Sequence, residues 1–262
     1  MDTLPPGLIL TFAFIFGACT GSFLNVCIYR IPAGMSIVTP GSSCPKCNTA
    51  IPLYLNIPLL SYLILLGRCR YCRVRIPFRY FMVELITGLL ATAVFLKFGP
   101  NLETVFWFAF SSVLLVVTFI DIDHGIIPDV ISIPGILVFS SAVFIVPDMT
   151  LMSVAVGILA GGGSLYLVAL GYYLIKKQEG MGGGDIKLLA MIGAAVGYQG
   201  VIVTIFLGSV IGTLLGIAVM IRTRSSDMKL KIPFGPFLAA GALIHMFWGE
   251  QLIAWYLYGS MV

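Results

Sequence analysis

The sequence predicts an all-α integral membrane protein of about eight transmembrane helices, with a small polar loop between helices 1 and 2. Three observations carry this. Of the 262 residues, 59% are apolar and only 10% are charged, whereas soluble domains carry about 25% charged residues; so few charges cannot clothe a surface that faces water. The apolar residues fall in runs of the length a spanning helix needs, roughly 20 residues. The basic residues collect almost entirely on one side of that pattern.

The spans are expected near 7–29, 80–98, 104–120, 129–147, 151–175, 186–199, 201–221 and 234–258. The segment 186–199 is short and opens in a glycine-rich stretch, which points to a broken or tilted helix. The first run lacks a basic start and continues into polar features of its own, unlike a cleavable signal peptide. Seven basic residues occupy 30–79: Arg30, Lys46, Arg68, Arg70, Arg73, Arg75 and Arg79. Lys176, Lys177 and Lys187 flank the glycine-rich turn, and Arg222, Arg224, Lys229 and Lys231 lie between the last two spans. Eight crossings leave Lys97 alone, of 15 basic residues, on the opposite side. The positive-inside rule makes the basic side cytoplasmic and puts both termini outside the cytoplasm. The net charge of +4 is then a topology signal and calls for no nucleic acid.

The polar insertion 30–79 holds four of the six cysteines. The working division is an N-terminal part, residues 1–98, with the first two helices and this loop, and a membrane core, residues 99–262. The loop reads Cys44-Pro-Lys-Cys47 and then, after 21 residues, Cys69-Arg-Tyr-Cys72. Two such pairs match a four-thiolate zinc site, because each CxxC turn offers two sulfurs and the second pair closes a tetrahedral shell. A closed shell has no position for water, so the zinc is structural and supplies folding energy to a loop too small for a core of its own. Two disulfides or free thiols are the alternatives, and a reducing cytoplasm disfavours the disulfides. Cys19 and Cys27, inside the first span, read as small packing residues.

Polar residues near a membrane face need partners. Ser22 and Asn25 in the first span either hold a helix contact or serve a site. Glu84, early in the second, pairs with Arg79 or Arg30 or serves a site.

Most of the eleven acidic residues fall in loops. Two contexts differ: Phe119-Ile-Asp121-Ile-Asp123-His124-Gly-Ile-Ile-Pro128-Asp129, and Gly180-Met-Gly182-Gly183-Gly184-Asp185-Ile-Lys187. Asp121 ends the third span and Asp185 opens the sixth, so carboxylates 64 residues apart reach one membrane depth. Two close carboxyls share a proton; the ionised one activates water and the protonated one stabilises the oxyanion. Gly182, Gly183 and Gly184 would form a flexible turn that lets an extended substrate strand approach. Lys187 either tunes the pair or anchors its helix. Asp129 after Pro128 reads as a helix cap, Asp123 as interfacial and His124 as a solvated loop residue. On spacing alone, capping or an ion path competes with proteolysis.

The ordered motifs resemble those of the type IV prepilin peptidases, a family of GxGD aspartic proteases. Gly21-Ser-Phe-Leu-Asn-Val with Arg30 and Pro32 is similar to the first-span signature, and the two CxxC pairs to the zinc loop. Asn56-Ile-Pro58, Ser61-Tyr62 and Val83-Glu84-Leu85 are similar to the passage into the second span. Asp121 with Pro128-Asp129, Gly182-Gly-Gly184-Asp185 and Pro233-Phe-Gly-Pro-Phe-Leu238 resemble the two aspartate motifs and the last-span entry. The resemblance runs from about 17 to 240. It departs at Tyr80-Phe81, where the family commonly has Tyr-Pro.

The resemblance implies a bacterial inner-membrane enzyme with its cysteine loop and catalytic aspartates on the cytoplasmic side, surrounded by membrane lipid. Its substrates would be type IV prepilins and type II secretion pseudopilins, cut after a glycine to remove a short basic leader. Asp121 and Asp185 would carry that step. A second implied activity is methylation of the new N-terminal amine with S-adenosylmethionine, associated with residues 1–98. No donor-binding residue is assigned, since the glycine pattern of a soluble nucleotide-binding domain is absent. Asp123 and Glu179 would attract the basic leader. The rival from another class is a non-enzymatic scaffold or transporter with a zinc loop for docking.

Overall fold

The computed structural model of the chain describes residues 5–178, 182–223 and 233–259. Glu179, Arg224, Lys229 and Lys231, named above, lie outside the described residues. Nine helices are described: α1 (Pro6–Arg30), α2 (Leu60–Ile64), α3 (Phe78–Phe98), α4 (Leu102–His124), α5 (Asp129–Phe139), α6 (Ala142–Ile145), α7 (Leu151–Lys176), α8 (Gly183–Thr223) and α9 (Gly235–Tyr258). A 3-10 turn at Leu53–Leu55 and two isolated β-bridges complete the regular structure among the described residues. The chain divides into two compact units, Met1–Val116 and Val117–Val262, with α4 shared between them.

By length and composition α1, α3, α4, α7, α8 and α9 suffice to cross a membrane. That is six long elements among the described residues, against eight expected spans, and the difference has two physical sources. The run 129–147 becomes the shorter Asp129–Ile145, split into α5 and α6. At the split the hydroxyls of Ser140 and Ser141 donate to the carbonyls of Ile136 and Val138, each at 2.7 Å, a bonding mode that competes with the helical ladder. The runs 186–199 and 201–221 are joined within α8, where Gly197 leaves helical geometry at φ 69°, ψ −178°.

That break is a reversal. In a straight helix residues 193 and 201 would stand about 12 Å apart, yet a Cβ added at Gly193 would lie 3.0 Å from the Val201 side chain. The legs 183–196 and 198–223 therefore run antiparallel, and only glycine takes the positive φ at their join without strain. The first leg packs on α7, with Gly161 against Leu189 and Gly157 against Gly193 and Gly197. The second packs on α9, with Gly208 against Phe237 and Gly241 against Thr204. The pairings place Lys176, Lys177, Asp185, Arg222 and the start of α9 at one end of the second unit.

In the first unit α1 packs on α3. A Cβ at Gly17 would lie 2.6 Å from the Thr87 carbonyl oxygen, and one at Gly21 would lie 2.7 Å from Glu84 Cα. Small residues of this kind let helices approach where lipid supplies no hydrophobic drive. Phe12, Phe16 and Leu96 in this unit, and Leu167, Ile175, Phe206 and Ile221 in the other, are exposed, as lipid-facing side chains are.

Candidate functional site

Asp121 lies in the last turn of α4, which Gly125 closes with φ +65° and an amide bond of 2.8 Å to the Asp121 carbonyl oxygen. Its carboxyl is 5% exposed, and its Oδ2 accepts from the Gly235 amide at 3.0 Å. Asp185 lies in the first turn of α8, its own amide donating to the Gly182 carbonyl at 3.2 Å. Its carboxylate is near enough to Asp121 for their charges to interact. The second unit thus draws the two aspartates together from opposite ends of different helices.

The keystone is Ile127, buried in the connection from α4 to α5. A Cβ at Gly184 would meet Ile127 Cβ at 2.9 Å. One at Gly235 would meet Ile127 Cδ1 at 3.2 Å and Asp121 Oδ2 at 2.6 Å. The starts of α8 and α9 therefore both press on this side chain. Neither Ile127 nor Gly235 is evident as a site residue from sequence; the Pro233–Leu238 motif marks the neighbourhood without revealing the amide that reaches Asp121.

The glycine triplet differs from the flexible turn expected. Gly183 and Gly184 are the first residues of α8, and none of the three has positive φ. Gly184 must be small because Ile127 is there, whereas among the described residues nothing crowds Gly183, and Gly182 has nothing closer than 4.0 Å. The reason for glycine is packing at one position, with room left at the other two.

Asp129 does not cap α5. Pro128 holds the cap position, without a side-chain cap bond, and Asp129 receives the Lys187 ammonium on both carboxylate oxygens at 2.7 Å. Lys187 thereby ties α5 to the start of α8. His124 is the exposed last residue of α4, and Asp123 is exposed on the same turn. Beside Gly235, a hollow of about 320 Å³ opens between α8 and α9, lined by Ser209, Gly212, Thr213, Phe234 and Phe237.

In the first unit, the four loop cysteines are free thiols whose sulfurs all lie within 4.8 Å of one another. Two copies of one knuckle bring them there. The Cys44 amide bonds the Thr49 carbonyl and the Asn48 amide bonds the Cys44 carbonyl; Cys69, Val74 and Arg73 repeat the pattern. Asn48 and Arg73 both take positive φ at the equivalent turn position. Cys44 Sγ and Cys72 Sγ are 3.8 Å apart, far beyond a disulfide bond and close to the roughly 3.8 Å that Zn–S bonds of about 2.3 Å impose on a tetrahedron. The donor set fits zinc. Hydrogen bonds from the Thr49 hydroxyl and amide hold Cys47 down at about 6. At Cys72 the Val74 amide pulls downward, but desolvation and the neighbouring sulfurs outweigh it and push the thiol to about 11. Of the span cysteines, Cys27 is buried and Cys19 exposed.

Glu84 takes its described hydrogen bond from the backbone of the loop. Its Oε2 accepts from the Leu59 amide at 2.7 Å. Arg30 instead donates to the carbonyls of Ser36 and Gly41, bracing the start of the loop. Asn25 donates to the Tyr80 carbonyl at 3.0 Å.

Comparison with known proteins gives two family matches in sequence order. Residues 15–98 match the bacterial peptidase A24 N-terminal domain and residues 108–217 match the type IV leader peptidase family. A protein of Aeromonas hydrophila named prepilin leader peptidase/N-methyltransferase is 36% identical, the alignment covering 96% of this chain and 95% of that one. A Pseudomonas aeruginosa protein of the same name is 36% identical over 93% and 91%, and one from Burkholderia pseudomallei is 33% identical over 94% and 87%. No solved structure matches significantly.

Proposed function

Since this chain belongs to the type IV leader peptidase family, we propose that it is an intramembrane aspartic endopeptidase that removes the basic leader of type IV prepilins and type II secretion pseudopilins. Cleavage falls after a glycine at the cytoplasmic face of the bacterial inner membrane. The enzyme then methylates the new N-terminal residue, phenylalanine in most such substrates, with S-adenosylmethionine. Residues 99–262 carry the protease and residues 1–98 the methyl transfer. Family membership favours this enzyme over the scaffold or transporter that spacing leaves open.

One observation carries the proteolytic reading: Asp121 and Asp185 converge at one end of the second unit. Two carboxyls near enough for their charges to interact disfavour double ionisation, which favours a protonated and an ionised member. The ionised member takes a proton from water as it attacks the scissile carbonyl. The protonated member donates to the carbonyl oxygen as charge develops there. The Gly235 amide fixes the Asp121 carboxyl throughout. The room beside Gly182 and Gly183 among the described residues supports passage of an unwound substrate strand past Asp185. Lys176, Lys177, Lys187 and Arg222 at the same end support a cytoplasmic placement. Cys44, Cys47, Cys69 and Cys72 would hold zinc, which shapes the loop and enters no step.

The test is co-expression with a prepilin bearing a basic leader, a glycine-phenylalanine junction and a following apolar helix, read by mass spectrometry. Wild type removes the leader and adds one methyl group. Asp121→Ala and Asp185→Ala, each inserted and folded, do neither. Continued cleavage by both variants would overturn the aspartate mechanism.

A further inference from the structure

The peptidase chemistry leaves one buried polar cluster unused, between α1 and α3 in the first unit. Glu84 is 9% exposed and Asn25 is 3% exposed. They lie one turn apart on each helix: Gly21 meets Glu84, and Asn25 meets the Tyr80 carbonyl. Asn25 spends its amide nitrogen on that carbonyl, and its Oδ1 is buried with no hydrogen-bond partner. An unpaired buried oxygen is costly and persists where something else is meant to meet it.

The chain covering Glu84 is strained in its favour. Leu59 takes φ 62°, ψ −52°, and the Leu60 amide bonds the Pro58 carbonyl at 2.6 Å. This is the rare γ-turn form, which a non-glycine residue adopts only under constraint. Ser61 Oγ, accepting from the Ile57 amide at 3.1 Å, helps to hold it. The turn aims the Leu59 amide at Glu84 Oε2. Asn56 and Ile57 beside it are exposed, so the cluster lies behind one layer of chain. A carboxylate has about four lone-pair sites and here accepts from the Leu59 amide, so acceptor capacity remains one turn from the orphaned Asn25 oxygen. Unfilled acceptors suit a group that only donates.

We infer that Glu84 and Asn25 seat the α-ammonium of the cleaved substrate's N-terminal residue for methyl transfer. This rests on the methyltransferase half of the proposed function. The ammonium donates to Glu84 and Asn25 Oδ1. Glu84 takes one proton and leaves a neutral amine. The amine lone pair attacks the methyl carbon of a sulfonium donor, forming the C–N bond, while the C–S bond breaks and its electrons stay on sulfur. The product is a secondary ammonium and a thioether, and Glu84 returns its proton to water.

The test uses the full-length protein and a pilin peptide that already begins with free phenylalanine, so that leader cleavage is bypassed. Without methyl donor, the free-amine peptide binds wild type and its N-acetylated form does not. With S-adenosylmethionine, Glu84→Gln lowers the methylation kcat about a hundredfold, the usual weight of a positioned acid–base group, with the donor KM unchanged and leader cleavage of a full precursor retained. Asn25→Leu raises the peptide KM and provides the second variant should Glu84→Gln lose its fold. Equal binding of the acetylated peptide overturns the inference. So does wild-type methylation by Glu84→Gln, or parallel loss of cleavage and methylation in both variants. A wild type that methylates no substrate overturns the methyltransferase reading itself, and is told apart because the failure precedes any substitution.

Discussion

The backbone amide of Gly235 donates to Oδ2 of Asp121 across 3.0 Å, which links the first residue of α9 to the last turn of α4. A hydrogen bond to a charged partner contributes roughly 1.5–3 kcal/mol, and a Cβ at Gly235 would stand 2.6 Å from the oxygen it serves. Gly235→Ala is therefore expected to lower the cleavage rate by about ten- to a hundredfold, the loss appearing in kcat. Gly241→Ala is the control, since its Cβ would press on the Thr204 carbonyl at 2.6 Å in the same α8–α9 seam, away from Asp121. If both variants lose cleavage in proportion to their loss of thermal stability, the effect is packing and the Asp121 contact is incidental.

The glycine triplet should divide under substitution. Gly184→Ala drives a methyl group to 2.9 Å from Ile127 Cβ, displacing the residue that braces both aspartate-bearing segments. A cleavage loss of at least about tenfold is expected, at an overpacking cost of roughly 1–3 kcal/mol. Gly182→Ala and Gly183→Ala meet no such wall and should keep stability within about 0.5 kcal/mol of wild type. Full precursors and a short junction peptide, assayed side by side, then separate roles. Loss on the precursor alone at 182 or 183 marks a strand-passage role.

The Lys187–Asp129 pair is solvent-accessible, with side chains 40% and 57% exposed, so its contribution to stability is about 0–1 kcal/mol. Its position matters more, because it ties α5 to α8 two residues beyond Asp185. Lys187→Met and Asp129→Asn are expected to slow cleavage by a factor of about five, equivalent to roughly 1 kcal/mol. The swap Asp129→Lys with Lys187→Asp should recover most of that loss. Independent effects in a double-mutant cycle would mean the two residues act separately.

What was legible in the sequence was whatever lies within a few residues of itself. Cys44-x-x-Cys47 and Cys69-x-x-Cys72 announce a metal site because each pair is one turn, and Asp121 and Asp185 stand out because each closes or opens an apolar run. The Gly235 amide could not be found this way: every residue has an amide, and only the meeting of α9 with α4 selects this one. Asp129 reads as a cap from Pro128 beside it, while the ammonium that takes its carboxylate comes from a residue 58 positions away. The separation of 186–199 from 201–221 was legible in hydropathy, and the reversal at Gly197 divides the two legs there; the serines that divide α5 from α6 leave no mark in hydropathy.

The cysteine knuckles yield the last prediction, concerning the metal. Four thiols within 4.8 Å should take up one zinc per chain, measurable by elemental analysis of purified protein. Cys44→Ser and Cys72→Ser should each abolish stoichiometric retention, whereas Cys19→Ser, in the first span, should leave it intact. Uptake by the stripped protein should strengthen as pH rises. Cys47, held at about 6, already offers a thiolate at neutral pH, but Cys72, pushed to about 11, must surrender a proton for every ion bound. Affinity measured between pH 6 and 8 should therefore climb steadily, and a flat profile would show that the thiols are not the ligands. Because the loop has little apolar core, removing the metal should make residues 40–76 sensitive to protease while the second unit stays protected. Equal protection of the loop with and without zinc would mean that the knuckles fold on their backbone hydrogen bonds alone.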